Sequence, residues 1–207
     1  MNKITKIIIG VVVVIAIVSV VVGIALMNSK PTEKEITNST TEIDTLNTTS
    51  KLPEVKTVEE LSAIVDSIYE GQTIEMPMVQ TQVIEVTDND MVNSVTGLEN
   101  SDDVEFVVAS EPLMSSQAYS LVLVKVKDGV NAEKIAKTMN ENINARKWVC
   151  VTAEKVYTTS SRDIVCLVMS NEETAKPIYK KFKTLAGSVG EEYERTEAEP
   201  ELPEDMY

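Results

Sequence analysis

The chain has 207 residues, with 33 Asp+Glu against 19 Lys+Arg, no histidine and a formal net charge of −14. A surface of that sign repels nucleic acid and anionic lipid headgroups. A chain without imidazole also lacks the commonest base near neutral pH, the base of Ser-His and Cys-His nucleophile pairs, and the commonest metal ligand.

The run Ile7–Met27 (IIIGVVVVIAIVSVVVGIALM) carries no charge. As a helix at about 1.5 Å rise per residue it spans roughly 31 Å, the thickness of a bilayer core. Its Val and Ile are poor helix formers in water, but in lipid every backbone N–H must be paired within the segment, so solvent forces the helix. Lys3 and Lys6 precede it, which keeps the N-terminus cytoplasmic and sends the rest outward. The competing reading is a cleaved signal peptide, with Gly23 and Ala25 as the small residues a peptidase needs, and a secreted product. Residues 1–27 are therefore expected to be a cytoplasmic stub and transmembrane anchor.

Residues 28–56 are crowded with Thr, Ser and Asn and carry few large apolar side chains, so they read as a flexible linker. Residues 189–207 include eight acids around Arg195, together with Pro200 and Pro203, and read as a disordered acidic tail. Between them, residues 57–188 hold enough apolar periodicity for one extracytoplasmic domain.

Within that domain, Thr57-Val-Glu-Glu60 has the form of a capping box. Val58, Leu61, Ile64, Val65 and Ile68 then follow helical spacing up to Gly71. A short helix is expected from its cap Asp88 to Gly97, followed by strands over Val104–Ala109 and Tyr119–Val126, joined through Glu111-Pro112. In the second strand Leu121 and Leu123 face one way while Val122, Val124 and Val126 face the other, the mark of a central strand. Asn131 caps a helix striped by Ile135, Ala136, Met139 and Ile143. A strand from Trp148 to about Thr158 then turns near Ser161 and returns through Ile164 to Met169, and Asn171 caps a last helix ending at Gly187.

The plan strand, Asn cap, amphipathic helix occurs twice. The fold expectation is α+β: an N-terminal transmembrane helix plus one small domain, its four-stranded mostly antiparallel sheet built from a repeated ββα unit with helices on one face. A hairpin centred near 161 sets Cys166 opposite Val156 and leaves Cys150 out of register, which disfavours a disulfide between the two cysteines.

Asp88-x-Asp90 with Glu99 imitates a calcium loop, but Val92 and Asn93 occupy a ligand position and the turn-glycine position, so a helix cap is the better reading. Nucleophile-elbow, S-x-x-K and P-loop patterns do not occur, and nothing in the chain implies a cofactor or a metal. The one conjunction of aromatic and basic residues is Arg146-Lys147-Trp148, where a helix hands over to a strand. It is the candidate partner contact; otherwise Trp148 covers the end of the core while the two cations reach past it to water.

Three segments, the run Val122–Asp128, ARKWVCVTAEKV from Ala145 to Val156, and IVCLVMS from Ile164 to Ser170, resemble domain-of-unknown-function family 4358. That family comprises envelope-anchored proteins of mainly Gram-positive bacteria. The resemblance implies an address and a fold, and no activity. Where relatives often place a glycine in the last hairpin, this chain has Ser161-Arg162. The functional expectation is a non-catalytic interaction or accessory module of the cell envelope, bound to the membrane through Ile7–Met27 and contacting an envelope protein or polymer. The alternatives are an enzyme that uses carboxylates alone, as glycosidases do, and a self-association module.

Overall fold

The computed structural model describes residues 50–75 and 77–197. Four helices and six strands occur among them. Helix α1 (Val58–Tyr69) opens on the full capping box, the Thr57 side chain accepting from the Glu60 N–H while the Glu60 carboxylate accepts from the Thr57 N–H. Strand β1 (Val79–Ile84) follows. Helix α2 (Asn89–Thr96) starts at Asp88, whose carboxylate accepts from Met91 N–H, so that acid serves as a cap. The helix stops at Gly97, which has φ of 75°, and a Cβ there would lie 2.4 Å from the Ile143 backbone N.

Strands β2 (Val104–Pro112) and β3 (Ser120–Val126) form a hairpin that leads into α3 (Ala132–Asn142), capped by Asn131. Strands β4 (Lys155–Ser161) and β5 (Ile164–Ser170) then lead into α4 (Glu172–Ala186), capped by Asn171. Pro177 lies inside α4. Last comes β6 (Tyr193–Thr196).

The strands make one sheet in the order β1-β2-β3-β5-β4-β6, every neighbour antiparallel. The four-stranded expectation is therefore replaced by six, with β1 and β6 added as the two edges. The one-faced helix layer is replaced as well. Val122, Val124, Leu167 and Met169 pack with Val92, Val95, Ile135 and Met139 of α2 and α3, whereas Leu121, Leu123, Cys166 and Val168 pack with Leu61, Ile68, Ile178 and Phe182 of α1 and α4. The result is a sheet between two helical layers, each with its own core.

The hand of the crossovers explains the two layers. β3-α3-β4 skips over β5, and β5-α4-β6 skips over β4, so each joins two parallel strands and both step toward the same edge. β3 and β5 run in opposite directions. Crossovers of one hand that step the same way from opposed strands must lie on opposite faces, and parallel crossovers are overwhelmingly of one hand. A repeated ββα unit propagated in this direction cannot keep its helices together.

Other boundaries move too. The last hairpin turns at Arg162-Asp163, so Cys166 pairs with Thr159 and Val156 with Met169. Arg162 takes φ of 52°, the left-handed conformation in which a glycine costs least. Both cysteines are free, Cys150 exposed and Cys166 buried. Leu52 and Val55, within the stretch read as linker, are buried, and β6 lies within the stretch read as tail. No helix among the described residues is long and apolar enough to cross a membrane; Ile7–Met27, read as the anchor, lies outside them.

Candidate functional site

The Arg146-Lys147-Trp148 segment does not enter a strand. It belongs to a loop between α3 and β4, held by Ala153 N–H donating to Ala145 O at 2.8 Å and by Val149 N–H donating to Ser115 O at 2.9 Å. Between those two anchors Cys150 adopts φ of 61°, which breaks the extended backbone expected from Trp148 onward. β4 consequently begins only at Lys155.

Of the three residues, Lys147 turns inward. Its ammonium donates to Glu111 at 2.5 Å and to Ser94 O at 3.3 Å, and it lies 5.5 Å from the centre of the Trp148 ring. Glu111 also accepts from the Ser120 hydroxyl at 2.7 Å. Burial pulls the Lys147 ammonium below its ordinary value, and Glu111 opposes that shift without cancelling it. Trp148 packs against the core beneath α2 and α3, and Arg146 stays at the surface. The segment thus divides: Lys147 and Trp148 are built into the end of the fold, and Arg146 is exposed. Ser120 is completely buried, so its hydroxyl orients Glu111 and does not face solvent.

What surrounds this pair was not legible as a site. Met78, Leu113, Met114 and Val149 are 75%, 58%, 63% and 62% exposed. They are tied together through the backbone, Leu113 N–H donating to Met78 O at 3.1 Å and Val149 N–H to Ser115 O. Four large apolar side chains therefore converge on the sheet end where β1, β3 and β4 begin and β2 and β5 finish. Single exposed apolar side chains are ordinary on a soluble surface, while a contiguous set is not. The sequence signal was weak because the four residues come from three separate loops.

A second feature at this end is a groove lined by Glu154, Asn171, Glu172, Lys176 and Lys180. Glu154 accepts from the Glu172 N–H at 3.2 Å, and Lys176 pairs with Glu172 at 2.6 Å. The Lys176 ammonium holds the Glu172 carboxyl below the usual carboxylate range, opposite to the shift an acid catalyst of glycoside cleavage requires. None of the Asp or Glu residues among those described is buried, and no group of three His, Cys, Asp or Glu able to hold a metal ion occurs among them.

Comparison with known proteins returned no match: no family model, no curated protein and no solved structure resembles the chain closely enough to be informative. The expected resemblance to domain-of-unknown-function family 4358 has no matching family model behind it.

Proposed function

We propose that this chain is a non-catalytic interaction module of the bacterial cell envelope. In this reading Ile7–Met27 holds it at the membrane, the folded domain lies outside the cytoplasm, and the loop end around Lys147 and Trp148 receives a protein partner. The observation that carries the reading is the convergence of Met78, Leu113, Met114 and Val149 beside the Lys147–Glu111 pair. Apolar anchors around a partly desolvated charged pair are what protein contacts use, with the charges setting register more than affinity. Length and hydropathy of the N-terminal run support the address.

Two measurements in intact cells test it. A photo-crosslinker at Val149 should trap one discrete envelope protein, and the same group at Lys127, at the opposite end of the sheet, should not. Identical products from both positions, or none from Val149, would overturn the contact surface. Cys150 is exposed and Cys166 buried, so a membrane-impermeant maleimide should label intact cells, and a Cys150→Ser variant should not react. Labelling only after lysis would overturn the address.

A further inference from the structure

The two edges of the sheet are not equivalent, and the difference points to a partner. β6 is four residues long and carries Glu194 and Arg195, the short charged form that discourages pairing. β1 is longer, VQTQVI, with Gln80, Thr81, Gln82 and Val83 exposed. It contains no charge, proline or bulge, so none of the usual protections of a sheet edge is present.

The alternation of the ladder fixes which backbone groups are open. Because Leu113 N–H donates to Met78 O, Met78 and Leu113 form a directly bonded pair. Stepping by two along the register, Gln80, Gln82 and Ile84 then turn their N–H and C=O toward β2. Those of Val79, Thr81 and Val83 point away from the sheet.

We infer that β1 is a pairing edge for β1 of a second copy of this chain, antiparallel, with Thr81 opposite Thr81 of the other copy. In that register Val79 meets Val83, so all three outward-facing residues exchange both backbone bonds with outward-facing residues. A register centred between Thr81 and Gln82 would set open groups against closed ones and is excluded. The side chains match as well: Thr faces Thr, Val faces Val, and Gln80 lies across from Gln82.

Electrostatics favours this edge for self-contact. A chain of net charge −14 repels a copy over most of its surface, but residues 76–84 carry no charge, and the flanking Glu75 and Glu85 fall opposite uncharged positions in the two-fold register. A pair of six-residue strands buries less than the roughly 1,600 Å² of a standard interface, so the free dimer is weak, with dissociation on the order of 10 µM or above. The inference does not rest on the loop-end reading, since it uses the strand edge and not Met114 or Val149.

The test is sedimentation of the full chain, dispersed in mild detergent, for wild type, Thr81→Lys and Thr81→Glu. Thr81 is exposed, so both variants should fold, but each sets like charges against each other at the two-fold and should self-associate roughly fivefold more weakly. An equimolar mixture of the two should associate again. As a second measurement, Thr81→Cys with Cys150→Ser should form a disulfide-linked dimer on mild oxidation, while Val83→Cys with Cys150→Ser, whose thiols lie far apart in this register, should not. A wild type monomeric throughout, a mixture no stronger than its components, or Thr81→Cys crosslinking to a different polypeptide would each overturn the inference.

Discussion

The β6 edge and the β1 edge close the same sheet by opposite means. β6 is stitched down by side chains from elsewhere: Asn140 donates to Tyr193 O as well as to Val156 O and Thr158 Oγ1, and Arg195 donates to Glu141 O and Ile143 O. Lys155 pairs with Glu194 across the β4–β6 ladder. β1 is tied in from its inner side, Thr81 Oγ1 and Tyr69 OH both donating to Ser110 Oγ at 3.2 and 2.8 Å, with Tyr69 OH 2.9 Å from Tyr119 OH. One edge has its charges placed against outsiders; the other presents open backbone between neutral side chains. A short charged strand resists pairing, and an uncharged one invites it.

The largest effect should come from the stitched edge. Asn140→Ala removes a buried donor serving three acceptors, and should cost about 1–3 kcal/mol in chemical denaturation while speeding amide exchange in β6 and leaving β1 unchanged. Equal loosening of both edges would remove the asymmetry. Next, Tyr69→Phe should cost about 1 kcal/mol and loosen β1 first, because it cuts the chain of hydroxyls behind Thr81.

That hydroxyl chain also has a pH signature. Burial raises the Tyr69 phenol and raises Tyr119 well above the ordinary value of 10.0. Above pH 10 the unfolded chain therefore gives up phenolic protons that the native chain keeps, so stability is full below that value and falls as pH rises past it. Tyr119→Phe should flatten this alkaline loss in denaturation series; an unchanged slope would contradict it.

At the loop end the sign is reversed. Lys147 is held below its ordinary 10.5, so in the window just under that value the unfolded chain binds the proton the native one has released, and stability rises with pH. The difference between wild type and Lys147→Met isolates that rise. The smallest effect belongs to the open edge itself, where Thr81→Lys removes one long hydrogen bond to Ser110 and should lower monomer stability by no more than about 1 kcal/mol.

Much of the interior was readable from local chemistry. The caps at Thr57, Asp88, Asn131 and Asn171 begin the helices they announce, and the two-faced β3 is central because its side chains feed both cores. The edges were not readable. β1 alternates Gln and Thr with apolar residues only at its ends, because an edge strand has little to bury. β6 is hidden in an acidic run, since its place is secured by Asn140 and Arg195 partners many residues away. The assignment of helices to two faces is a property of crossover hand, which no periodicity within one segment encodes. For the same reason Lys147 was visible as a cation beside Trp148, but its partner Glu111, on strand β2, was not.

The contrast between the edges is tested most directly by amide exchange on the full chain at low and high concentration. The Thr81 and Val83 amides should exchange quickly when dilute and slow as concentration rises, while Glu194 and Thr196, which face outward on β6, should show no change. Thr81 and Val83 exchanging at the same rate throughout, or β6 slowing with them, would contradict an open edge at β1 and a closed one at β6.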